Sequence, residues 1–83
     1  MPRYSDLKQK LAKSGQSLRL FTLGHRGVTQ RDGVAGIARM RVLCERINEG
    51  IKSGEYSREA VFVVNTARGQ ILAAEARLAL LRK

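Results

Sequence analysis

The C-terminal third of the chain carries an apolar stripe with unbroken helical spacing. Hydrophobic side chains recur at intervals of four and three residues, at Ala60, Val64, Ala67, Ile71, Ala74, Leu78 and Leu81. This spacing returns to the same side of an α-helix for about six turns, whereas a strand would require alternation. The stripe therefore predicts one long helix that Ser57 opens as the N-cap, with Glu59 in the first turn.

The central segment predicts a second long helix. Apolar side chains recur at 3-4-3-4 spacing, at Ile37, Met40, Cys44, Ile47 and Ile51. Thr29 is a good N-cap, and Asp32 follows three residues later, as in an acidic version of the capping box. The helix is expected to run to about Ser53, with Gly54 as its stop. Since only a short connection follows, the two long helices are predicted to pack antiparallel.

Residues 1–28 form a basic segment whose structure is less constrained. Ser5 is expected to cap a short helix from Asp6 to about Ser14, which Gly15 ends. In the segment 17–23, Leu18 and Leu20 alternate with Arg19, which is typical of a short strand.

The expected fold is mainly α: one domain over residues 1–83, with a short N-terminal helix and a helical hairpin over residues 29–83. One alternative stays open. The run at 61–64 is β-branched and aromatic, and Gly69 costs a helix about 1 kcal/mol. Under that interpretation, the chain is a small α/β unit with strands near 18–23 and 61–65.

Charge is the strongest functional signal. Sixteen Lys and Arg residues face seven Asp and Glu residues, for a net charge of +9. The first 41 residues hold nine bases and two acids, and so account for +7. Lysine and arginine release condensed counterions when they meet phosphates, so the composition predicts a polyanion partner, DNA or RNA. The residues predicted to contact phosphates are Lys8, Lys10, Lys13, Arg19, Arg26, Arg31, Arg39 and Arg41.

The loop before the central helix is a candidate anion site. It holds two glycines, Arg26 and Arg31 next to a helix N-terminus, whose free N–H groups favour a phosphate or carboxylate. The alternative is an ordinary turn whose arginines are solvated.

No catalytic constellation is predicted. His25 is the only histidine and Cys44 the only cysteine, and Cys44 falls on the apolar stripe of the central helix. One histidine and one cysteine do not supply a four-ligand zinc site. We therefore expect a non-enzymatic protein with no cofactor and no metal.

Other expectations concern partners and location. A small helical domain with little core is expected to form a homodimer. The alternative function is a protein–protein interaction module, an adaptor or inhibitor that docks on an acidic surface. A single cysteine and the lack of an apolar leader favour the cytoplasm, and no apolar run is long enough to predict a membrane span.

Overall fold

A computed structural model describes residues 3–82 and contains three helices joined by two short connections. The helices are α1 (Tyr4–Thr22), α2 (Gln30–Lys52) and α3 (Ala60–Leu81). The mainly α fold is confirmed. The α/β alternative is wrong, because residues 18–22 lie within α1 and residues 61–65 lie within α3.

Helix α1 is twice as long as predicted. It passes through Gly15 without a break and continues over the segment interpreted as a possible strand. Its buried positions are Leu7, Leu11, Ser14, Gly15, Leu18 and Phe21. The 4-3-4-3 stripe is therefore continuous, but its middle positions are serine and glycine rather than large apolar residues. Helix α3 comes close at Gly15, because an added Cβ would lie 2.5 Å from Oε1 of Gln70.

Helix α2 begins and ends as predicted. Thr29 is the N-cap, and its hydroxyl accepts a hydrogen bond from the Asp32 N–H at 3.2 Å. The Asp32 carboxylate accepts the Thr29 N–H at 2.9 Å, which completes the capping box. Lys52 is the last helical residue, and Gly54 follows with φ of +82°, where glycine lacks the Cβ that would be strained.

Helix α3 starts two residues later than a Ser57 cap would give. The Ser57 carbonyl accepts the Ala60 N–H in a tight turn, and Glu59 is the N-cap. The predicted stripe is buried from Ala60 to Ala74. Leu78 is half-buried and Leu81 is 46% exposed, so the stripe leaves the core near the end of the helix.

The core lies along the axis of a three-helix bundle that measures 42 × 19 × 16 Å. Each helix packs against the other two. The largest side chains that are almost fully buried are Leu7, Leu18, Met40, Ile47 and Val64. Burying one such side chain stabilises the fold by about 1.5–3 kcal/mol, so these stripes hold the three helices in their angular phase. That phase decides which surface each basic residue occupies.

The turn after α1 reverses the chain within a few residues. The His25 N–H donates to the Leu20 carbonyl at 3.0 Å, and the Gly24 N–H donates to the Phe21 carbonyl. This is the Schellman arrangement, in which the residue after the helix adopts the left-handed conformation. Gly24 has φ of +73° and meets that requirement without a Cβ penalty.

Candidate nucleic-acid interface

The lysines and arginines of α1 divide between two flanks of the helix. Lys8 and Arg19 line the groove between α1 and α3, beside Thr66 and Gln70. Lys10 and Lys13 lie on the opposite side of the buried stripe, since each residue advances about 100° around the helix. That side of α1 borders α2, where Phe21 and Leu18 pack against the glycines of α2.

Helix α2 separates its arginines in the same way. The Arg41 guanidinium binds the Glu75 carboxylate of α3, so Arg41 faces α3. Arg39 precedes it by two residues and therefore lies on the other flank, which borders α1. Arg46 shares that flank because it follows Arg39 by seven residues, or nearly two turns. Consistent with this, Arg46 and Leu7 of α1 line the same cavity.

Four of these bases form one surface, which we call the α1/α2 basic face: Lys10, Lys13, Arg39 and Arg46. Phe21 lies against Gly33 and Leu18 against Gly36. This antiparallel pairing brings Lys10 and Lys13 level with the part of α2 between the two arginines.

The bases of the α1/α2 basic face are free to meet an external anion. All four are exposed. The ion pair between Arg41 and Glu75 is the only one within residues 3–82. None of the four bases therefore pairs with a carboxylate in that part of the chain. Acids lie beside these bases: Asp6 is on the same flank of α1, one turn before Lys10, and Glu49 and Glu55 line the cavity that Arg46 borders. The face therefore presents unpaired bases from two adjacent helices.

Arg26 and Arg31 lie at the end of the bundle, away from this face. Both are exposed, Arg26 in the turn and Arg31 in the first turn of α2. The hydrogen bond from the Thr29 backbone, with a second contribution from its side chain, lowers the pKa of Asp32 below its usual value of 3.8. The α2 N-terminus therefore already holds a carboxylate of its own chain, which competes with an external anion for these N–H groups.

Arg77 of α3 adds positive charge at this end of the bundle. Its guanidinium lies over the turn, close to Gly24, and its Nε is buried without a hydrogen-bond partner within residues 3–82. An added Cβ on Gly24 would lie 2.9 Å from the Arg77 guanidinium. The side chain therefore covers the turn between α1 and α2.

The structure thus places the eight predicted residues on four surfaces. Lys10 and Lys13 lie together on α1, and Arg39 lies on the flank of α2 that borders α1; Lys8 and Arg19 border the α1/α3 groove; Arg26 and Arg31 lie at the bundle end; Arg41 binds Glu75. Arg46 is not among the residues predicted from the sequence, although its seven-residue spacing from Arg39 indicates the same side of the helix.

The two reactive side chains are not arranged for joint chemistry. Cys44 is buried as a free thiol in the core stripe of α2. Burial raises the pKa of the Cys44 thiol above its usual 9.0, although Arg68 acts in the opposite direction. His25 lies in the exposed turn, where its Nδ1 is 2.7 Å from the Arg26 carbonyl. Among residues 3–82, no three His, Cys, Asp or Glu side chains cluster closely enough to hold a metal ion.

Comparison with known proteins assigns the chain to no family. No protein-family model matches the chain, and no curated protein or solved structure matches it significantly. None of the three helices between residues 3 and 82 combines the length and the apolar character that crossing a bilayer requires.

Proposed function

We propose that this protein binds duplex nucleic acid through the phosphates, using the α1/α2 basic face. The observation that carries the proposal is the convergence of four exposed, unpaired bases from two antiparallel helices on one surface. Two parallel rows of cations suit a polyanion whose charges repeat along a line.

Recognition on this surface depends on charge more than on sequence. Lysines and arginines that contact phosphates fix position on a duplex but do not read bases. Aromatic side chains on which a single-stranded base could stack are few in the chain, which has two tyrosines and two phenylalanines. We therefore expect modest sequence preference. The single free cysteine is in keeping with a cytoplasmic setting for this activity.

Salt dependence tests the proposal directly. Fluorescence anisotropy would follow binding of the full chain to labelled duplexes of DNA and of RNA. Each neutralised phosphate contributes about −0.9 to the slope of log affinity against log salt for B-DNA, so four contacts predict a slope of about −3.6. Affinity should then fall roughly 100-fold between about 50 and 200 mM salt.

Two results would overturn this function. One is no binding to either duplex at the lower salt concentration, and the other is binding whose affinity does not change with salt. Absence of duplex binding would favour the alternative of a module that docks on an acidic protein surface. Comparing the affinities for the DNA duplex and the RNA duplex would show which of the two helical forms the α1/α2 basic face accepts.

A further inference from the structure

The outer side of α3 is apolar and uncovered. The residues directed away from the core at 3-4-3-4-4 spacing form what we call the α3 strip: Phe62, Asn65, Gly69, Leu72, Ala76 and Leu80. Phe62 is 72% exposed, Leu72 is 67% exposed and Leu80 is 65% exposed. A helix with apolar side chains on two opposite sides ordinarily buries both, and here the outer side lacks a cover.

The α3 strip is also the surface of α3 without charge. None of its members is ionisable, although the chain carries a net charge of +9. The charged residues within α3 lie on its flanks instead, where Arg68 borders the groove to α2 and Glu75 meets Arg41. Two copies of a strongly basic protein repel each other wherever bases face bases, so their contact requires a surface of this kind.

We propose that the α3 strip is the interface of a homodimer, in which α3 of one copy packs antiparallel against α3 of the other. The strip is self-complementary about Gly69 at its largest side chain. Phe62 and Ala76 each lie seven residues from Gly69. A two-fold axis at Gly69 therefore places Phe62 of each copy against Ala76 of the other, so that a large side chain meets a small one at both contacts. No atom lies within 4 Å of the position of an added Cβ on Gly69, so its backbone is open to close approach.

The large apolar side chains of the strip supply about half of the area that a standard interface takes from each partner. The exposed parts of Phe62, Leu72 and Leu80 amount to about 400 Å², at the scale of a patch that marks an interaction site. Close approach at Gly69 and Ala76 adds backbone contacts toward the roughly 800 Å² per partner of a standard interface.

The dimer has a consequence that rests on the proposed function. Because all three helices contact one another, the α1/α2 basic face lies on the opposite side of each bundle from the α3 strip. Pairing through α3 therefore directs the two basic faces away from each other. A dimer of this form binds two duplexes at once and bridges them.

Sedimentation equilibrium of the full chain tests the dimer. Salt of about 0.3 M screens repulsion between copies, and the protein is measured from roughly 10 to 500 µM, since association depends on concentration. We expect the mass of two chains for the natural protein. Phe62→Lys and Gly69→Lys should each weaken dimerisation at least about tenfold. Val42→Lys is the matched control, because Val42 is 49% exposed on α2, outside the strip, and should leave the dimer intact.

Circular dichroism of each variant separates loss of the dimer from loss of the fold. Gly69→Lys is informative here, since the space around that position accepts a side chain in the monomer. A natural protein that stays monomeric at the highest concentration would overturn the proposal. So would a dimer that persists in both strip variants.

Energy transfer between two differently labelled duplexes tests bridging. The natural protein should bring the labels together, and Phe62→Lys should bind each duplex without doing so. Failure of the natural protein to bind either duplex would refute the proposed function. Sedimentation equilibrium alone would then decide whether the dimer forms. Bridging that Phe62→Lys retains would contradict the geometry of the dimer.

Discussion

Glycines inside the helices show how a single residue acts through its neighbours. Gly33 is buried in α2, where an added Cβ would lie 2.6 Å from ring atoms of Phe21. That ring is itself buried, so it has little space in which to move. Gly69 occupies a similar interior position in α3, but the space beside it is open. The same residue type therefore serves close packing inside the bundle in α2, whereas in α3 it lowers the stability of the isolated bundle.

Gly33→Ala and Gly69→Ala are predicted to have opposite effects on stability. Overpacking against Phe21 should lower the free energy of unfolding by about 1–3 kcal/mol in Gly33→Ala. Gly69→Ala removes the entropic cost of glycine in a helix and should raise that free energy by about 0.5–1 kcal/mol. Urea unfolding at low protein concentration measures both changes. Equal destabilisation of the two variants would show that Gly33 does not pack closely against the Phe21 ring.

At the scale of the element, the informative segment is the second half of α1. Its helix depends on Leu18 and Phe21, which continue the buried stripe beyond Gly15. Neighbouring side chains hold the segment in place, since Leu18 packs near Gly36 and Phe21 near Gly33. Tertiary packing thus outweighs the local preference of glycine to end a helix.

Ser17→Pro tests whether α1 is continuous. Proline at that interior position removes a backbone hydrogen bond and clashes with the preceding turn, so the free energy of unfolding should fall by about 3 kcal/mol or more. Ser5→Pro is the matched control in the first turn of α1, where the N–H needs no helical partner, and it should be tolerated. Equal stability of the two variants in thermal or urea unfolding would mean that α1 ends near Gly15.

The elements that the sequence predicted well are those with explicit boundary signals. Helix α2 has a capping box at Thr29 and Asp32 and a glycine with positive φ after its end. Helix α3 has an unbroken stripe, which outweighed the β-branched run at 61–64. Helix α1 was predicted too short because Ser14 and Gly15 occupy its buried side, and only the packed structure shows that α3 approaches there.

At the scale of the molecule, the arrangement of charge follows from the phases of the helices. Lys8 and Lys10 are neighbours in sequence, yet they lie on opposite flanks of α1, as Arg39 and Arg41 do on α2. The sequence predicted the basic character and most of the residues concerned. It did not predict their separation, because that depends on which helix lies beside each flank.

A comparison of two double variants tests the α1/α2 basic face most directly. Lys10→Gln/Arg39→Gln removes two bases from the face, and Lys8→Gln/Arg41→Gln removes the same charge from the other flanks of the same helices. The measurement is duplex affinity as a function of salt, by fluorescence anisotropy. We predict that the first variant loses more than about tenfold in affinity and about two units of salt slope, and that the second loses less than about threefold. Equal weakening by the two variants would contradict the account, because binding would then follow net charge alone and not this surface.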